Sequence, residues 1–212
     1  MNLSHRITWA ALALLPLALH AAPVDDAVAR VQRDWETIRY DVPAAQRAQR
    51  FEALAKAAHE ASTQFAGRSE PLVWEGIVLS SWAGEKGGLG ALGLVKQAKA
   101  LYERAIEIDG QALSGSAYGS LGVLYAKVPG WPLGFGDGAK AEALFRQALA
   151  VNPQGIDPHF FYAEFLADQG RHAEARAHLA QALQAPPRPG RERADAGRRE
   201  EVLALLARLP AP

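Results

Sequence analysis

No cysteine occurs in this 212-residue chain, which removes disulfides, thiolate metal sites, a nucleophilic thiol and a lipid-bearing cysteine together. An excess of charge of one sign is missing too: 23 Lys and Arg face 23 Asp and Glu, for a formal net charge of +0. Such a chain exerts no electrostatic pull on nucleic acid or an acidic membrane surface, and its aromatics are not interleaved with a basic stripe, which argues against nucleic-acid binding. Long apolar runs are scarce. The one present, Ile7 to Leu19, is interrupted by Thr8 and Pro16, and at about thirteen residues it is too short to cross a bilayer. With His5 and Arg6 ahead of it and Ala21-Ala22 behind, it reads as an export signal over residues 1–21, or as an N-terminal anchor if uncleaved. Export to a bacterial periplasm, with a mature chain that stays in solution, is the expectation.

Catalytic patterns are also sparse. His59, His159, His172 and His178 lack the spacing of a zinc site on one helix, although Glu174 and His178 share a helix face. Ser114-Gly115-Ser116 has neither the flanking glycines nor the strand of a nucleophile elbow. Gly88-Leu89-Gly90-Ala91-Leu92-Gly93 spells the dinucleotide fingerprint, but Glu85-Lys86-Gly87 separates it from the strand-like Ile77-Val78-Leu79, and Asp109 ends a helix instead of a second strand. The stretch from Lys127 to Lys140 lacks the Gly-Lys-Ser/Thr ending of a phosphate loop. No enzyme, cofactor or metal is expected.

What the chain does have is a repeat. Ala141, Phe145, Ala148 and Pro153 recur 34 residues later as Ala175, Leu179, Ala182 and Pro187. Small residues let a neighbouring helix approach closely, and the large residue four positions on shares their face and fills the space beyond. Proline then ends the helix. An earlier copy, Ala98, Tyr102 and Ala105, ends at Asp109-Gly110, where glycine can take the left-handed cap. Leu121, Gly122 and Tyr125 precede one copy, Tyr162, Ala163 and Leu166 the next, and Gly170 closes the turn between the last two helices. This pattern resembles the tetratricopeptide repeat family. The resemblance implies an all-α, right-handed superhelical solenoid of helix-turn-helix units that binds other molecules.

Four segments follow: the signal at 1–21, an atypical helical pair at 24–70, three units at 71–189, and a capping helix with tail at 190–212. Val28, Val31, Trp35 and Ile38 share one face of the leading pair, and Val202, Leu203, Leu205, Leu206 and Leu209 form the stripe of the cap. Trp74 to Tyr118 spans 44 residues and Tyr118 to His159 spans 41, so both units carry surplus residues. These are assigned to two inserted loops, 83–93 and 127–138, emerging as neighbours on one rim. Trp131 and Phe135 sit in the second, in a Pro/Gly setting where they either reach a ligand or fold back on the solenoid edge.

In the family the first helix of each unit lines the inner face. Carried over, those places are Leu72, Glu75, Leu79 and Trp82; Ser116, Gly119, Val123 and Lys127; Asp157, Phe160, Glu164 and Asp168. Ser116 and Gly119 would leave a hollow between Trp82 and Phe160, rimmed by Glu75, Glu164 and Asp168, for a cationic or extended peptide group. The resemblance therefore implies a non-catalytic adaptor or envelope-assembly protein that binds a protein or peptide. Export with Gly-rich elaboration is also similar to the tetratricopeptide components associated with TRAP-type organic-acid transporters, which implies a small-molecule-binding alternative. An enclosed apolar channel would favour that alternative, an open groove the adaptor.

Overall fold

The computed structural model describes residues 23–210; the export signal expected at 1–21 lies outside them. Nine α-helices and no strand occur among the described residues: α1 (Pro23–Tyr40), α2 (Ala44–Gln64), α3 (Ser69–Lys86), α4 (Gly88–Asp109), α5 (Ala112–Lys127), α6 (Gly138–Val151), α7 (Ile156–Asp168), α8 (His172–Gln184) and α9 (Glu192–Arg208). The most extensive packing joins α3 with α4, α5 with α6 and α7 with α8, the three helix pairs of an all-α solenoid.

The alanine pattern is what holds each pair. Ala98, Ala141 and Ala175 are wholly buried, as are the large partners Tyr102, Phe145 and Leu179 on the same faces. Opposite them the first helix carries a small residue. A Cβ at Gly76 would stand 2.5 Å from the Tyr102 ring, one at Gly122 would stand 2.8 Å from the Phe145 ring, and the third unit places the buried Ala163 there. Close approach and ring insertion thus depend on each other. Tyr102 keeps its hydroxyl satisfied by Ser80 Oγ at 3.1 Å, while burial pushes its phenol well above the ordinary value.

Several expectations are corrected. The loop expected at 83–93 does not exist: α3 runs to Lys86 and α4 starts at Gly88. Gly87 and Gly88 alone turn the chain, with φ of 62° and 61°, so the surplus residues lengthen the two helices. Gly110 does not form a left-handed cap, because its φ is −69°. The left-handed stretch comes later, at Leu113, Ser114 and Gly115, and α5 has helical geometry only beyond it. Leu203 leaves the apolar stripe of α9 and is 56% exposed, whereas Val202, Leu205 and Leu209 are buried.

Helix α9 does more than cover the last unit. It packs on α8 and α7 and also on α1, so the row of helices curves until its two ends meet. The seam with α1 is ionic: Arg39 Nη2 donates to Glu201 at 2.7 Å, Arg193 bonds Asp41 at 2.8 Å, and Arg191 pairs with buried Glu36. Because α9 lies across the inner side, what would be an open groove becomes a ring with an interior.

Candidate functional site

Two surfaces result from this construction: a projecting loop and the interior of the ring. The loop joins α5 to α6. Its backbone bonds to itself and to α5, with Leu133 N donating to Gly130 O at 3.1 Å, Gly136 N to Pro129 O at 3.0 Å and Asp137 N to Tyr125 O at 2.9 Å. Gly134 and Gly136 permit this folding, since a Cβ at either would collide with the carbonyls of Pro129 and Val128. The Asp137 carboxylate then accepts from Lys140 N at 3.1 Å and caps α6.

The two aromatics of this loop behave differently. Phe135 folds back, edge-on to Tyr125 with ring centroids 5.6 Å apart and the Lys99 ammonium 5.9 Å from its ring. Trp131 points into water at 90% exposure, and Leu133 beside it is 72% exposed. Sequence reasoning singled out Trp131 but missed Leu133; its place in a Pro/Gly segment was the available signal.

Lys127, Glu164 and Asp168 come together across α5 and α7, with Lys127 Nζ at 2.7 Å from Asp168 and 3.5 Å from Glu164, but of the three only Glu164 reaches the lining of the interior. Burial would lower the lysine, but the bond it donates to Asp168 and the charge of Glu164 outweigh it and raise it. Phe160 is buried beneath Arg198, whose guanidinium carbon lies 4.5 Å from its ring centroid and 4.7 Å from that of Phe161.

Glu75 and Trp82 do not join this group. Glu75 turns toward α2, where its carboxylate accepts from His59 Nδ1 at 2.9 Å and from Ser62 Oγ. The two residues thus lie off the lining of the interior, which on α3 is made instead by Trp74, Ile77, Ser80, Ser81, Gly84 and Glu85. Trp82 is half-buried with the Lys86 ammonium 5.3 Å above its ring.

The hollow expected at Ser116 and Gly119 is present, but its walls differ. It is an inner chamber of about 330 Å³ bounded by Trp35 and Trp74 on one side, Phe161 on the other and Arg191 and Arg198 from the α9 end. A wider hollow of about 770 Å³ adjoins it through Trp35, Ser120, Phe161 and Arg198 and carries Phe160 and Glu164 on its wall.

Asp157 anchors the α9 side. Arg188 Nη1 donates to it at 2.6 Å and Arg198 Nε at 2.8 Å. Burial would raise this carboxyl, but the Arg198 and Arg188 guanidinium groups win and hold it at about 2. The α9 arginines were missed from the sequence, although Arg191, Ala194, Asp195, Arg198, Val202 and Leu205 recur at helical spacing as one face of mixed character.

The pairing of Glu174 with His178 considered from sequence is replaced by a different arrangement. His159 Nε2 donates to Pro153 O at 2.9 Å, so its Nδ1 accepts from His178 Nδ1, also at 2.9 Å, while Glu174 takes two bonds from Arg171. Among the described residues no group of three His, Cys, Asp or Glu side chains is placed to hold a metal ion.

The family comparison agrees with this architecture. Residues 133–192, from the end of the projecting loop through α6, α7 and α8 to the start of α9, match the family model described as tetratricopeptide repeat. No curated protein matches the chain. Among solved structures, the crystal structure of a thermophilic TPR protein in Thermus thermophilus is similar at 20% identity and a TM-score of 0.42, over 87% of this chain and 99% of that one.

Proposed function

We propose that this chain is an exported, non-catalytic tetratricopeptide-repeat scaffold of the bacterial periplasm that binds a protein partner through the α5–α6 loop, in an adaptor or envelope-assembly role; the interior closed off by α9 favours, as a second reading, a small-molecule-binding component associated with a solute transporter. The observation that carries the scaffold reading is Trp131, 90% exposed beside Leu133 on a loop whose backbone is internally bonded. An aromatic side chain offers about 150–250 Å² for burial. At about 25 cal/mol per Å² its occlusion contributes up to about 4–6 kcal/mol, the range of an interface anchor. Because the loop is already ordered, little conformational entropy is lost on binding. The signal-like pattern of residues 1–21 supports export, and among the described residues no helix is long and apolar enough to cross a membrane.

The test is recovery of partners from envelope extracts with the unmodified chain, Trp131→Ala and Leu133→Ser. Leu203→Ser serves as the control, removing an exposed leucine from α9 instead. The loop variants are expected to lose a specific partner that the control retains. Equal recovery by all four chains would overturn the assignment, and a precursor retained in the cytoplasm after deletion of residues 1–21 would separate export from binding.

A further inference from the structure

The charged groups on the lining of the inner chamber are already matched. Arg198 donates to Asp157 at 2.8 Å and to Glu201 at 2.5 Å, Arg188 donates to Asp157 at 2.6 Å and to Asp195 at 2.7 Å, and Arg191 pairs with Glu36. An ion entering the chamber would have to break into one of these largely buried pairs, and the partner left behind would be uncompensated. A neutral molecule enters without disturbing them.

What the chamber leaves open is uncharged. Trp74 is 4% exposed and lines the chamber, and its Nε1 has no hydrogen-bond partner among the described residues. Trp35, whose ring centroid lies 6.1 Å away, donates its indole N–H to Ser81 Oγ at 2.8 Å. A buried donor with no acceptor costs free energy, and a ligand oxygen that accepts from it recovers that cost. Gln32 and Asn152 bring amides to the same lining, each able to donate and to accept, and Ser114 and Ser116 bring hydroxyls. Ser116 Oγ gives its proton to Leu113 O at 2.6 Å, so it meets a ligand as an acceptor. The wall that carries these serines is held in an unfavourable backbone: Leu113 and Ser114, both with a Cβ, take φ of 49° and 56° ahead of Gly115 at 74°. Strain of this kind persists only where the surrounding structure imposes it, and it clusters at ligand sites.

Between the polar groups, Trp35 and Phe161 present flat apolar surface from opposite sides. The volume of about 330 Å³ is the space of roughly eleven waters at ~30 Å³ each, which admits a single sugar ring. Neutral donors and acceptors alternating with aromatic carbon are matched by a molecule with hydroxyls around its edge and C–H groups on its faces. We propose that this chamber binds a neutral sugar or cyclic polyol, its ring set between Trp35 and Phe161, one hydroxyl accepting from Trp74 Nε1 and others exchanging bonds with the Gln32 and Asn152 amides. The inference rests on the small-molecule reading of the function and narrows it to an uncharged, hydroxyl-rich ligand. Entry is through the wider hollow, which continues from the chamber past Ser120 and Phe161.

The test is titration of the purified full chain with glucose, galactose, mannose, ribose and myo-inositol, beside the charged analogues glucuronate and glucosamine and the apolar acid 3-phenylpropionate, by calorimetry and by the Trp74 indole proton resonance. At least one neutral compound is expected to saturate a single site with Kd below about 1 mM, both charged analogues binding about tenfold more weakly than it. Trp74→Phe, which removes an N–H that bonds nothing among the described residues, is expected to weaken binding about threefold and Gln32→Leu about tenfold, while Leu203→Ser, at an exposed position of α9, leaves it unchanged. In the unmodified chain the Trp74 resonance should move downfield on saturation, a readout that needs no variant. A charged analogue that binds as tightly, or saturation that leaves the Trp74 resonance unmoved, would overturn the proposal. Saturation by 3-phenylpropionate with no neutral compound bound below about 10 mM would also overturn it, yet leave the small-molecule reading standing; failure of the whole panel at that concentration would overturn both.

Discussion

Replacing Asp157 with asparagine removes the charge on which Arg188 and Arg198 converge while preserving the size of the side chain. Each tenfold difference in proton affinity is worth about 1.4 kcal/mol, so holding this carboxyl at about 2 instead of its ordinary 3.8 corresponds to about 2–3 kcal/mol at neutral pH. Loss of a partner from a buried pair can cost about 3–5 kcal/mol, but here Arg198 retains Glu201 at 2.5 Å and Arg188 retains Asp195 at 2.7 Å. The lower figure is therefore expected. For a chain of this size it lowers Tm by about 5–10 °C, measured by circular dichroism at pH 7. The pH dependence supplies a second check. Because the folded-state value lies below the unfolded one, the stabilisation is complete above about pH 4 and is lost as pH falls from there toward about 2. Melting curves of the unmodified chain and Asp157→Asn should stand apart at pH 5 and converge below pH 4. A Tm at pH 7 within about 2 °C of the unmodified chain, or a gap that fails to narrow in acid, would refute the reasoning.

Gly122→Ala places a methyl 2.8 Å from the Phe145 ring and should destabilise by about 1–3 kcal/mol in urea denaturation, despite the better helix propensity of alanine. Trp131→Ala should change stability by less than about 0.5 kcal/mol, because the side chain is 90% exposed; a larger loss would mean the loop is pinned through it. Raising salt to about 1 M should speed hydrogen exchange in α9 and α1 more than in α4, since the Arg193–Asp41 and Arg39–Glu201 pairs at the seam are partly exposed and open to screening. His178 is held below its ordinary value by burial and by His159, with Arg171 adding to the effect and Glu174 opposing it. The unfolded chain therefore takes up that proton more readily, and stability should decline as pH falls below about 6.5, a slope that His178→Gln flattens.

The repeat was legible because its signal is local. Ala141, Phe145 and Ala148 lie within two turns of one helix, and burial of all three follows from their spacing alone. The same holds for Gly170, whose φ of 74° ends α7 where the pattern placed a turn. The region from Ala83 to Gly93 misled because glycine density normally marks a loop. Gly84, Gly90 and Gly93 are exposed yet stay helical, because the packing of α3 against α4 along the rest of their length outweighs the poor propensity of glycine, and only Gly87 and Gly88 use their conformational freedom. Glu75 was misplaced by rotation about its own helix axis: one face meets α2, the next meets the interior, and a carried-over register does not distinguish them. The position of α9 was illegible for another reason. Arg191, Arg193 and Arg198 find Glu36, Asp41 and Asp157 across long sequence separations, and nothing in a local window announces those pairs.

The seam between α9 and α1 changes how this chain should behave as a repeat protein. A linear stack of helical hairpins can melt unit by unit from either extremity, because each unit senses only its neighbours. Here the first and last helices share ion pairs, as at Arg39 and Glu201, so loosening one withdraws support from the other. The circle is expected to unfold in a single cooperative step, and a lesion in α9 to register as enhanced proteolysis of α1 more than 150 residues away, as Arg193 reaching Tyr40 across a separation of 153 illustrates.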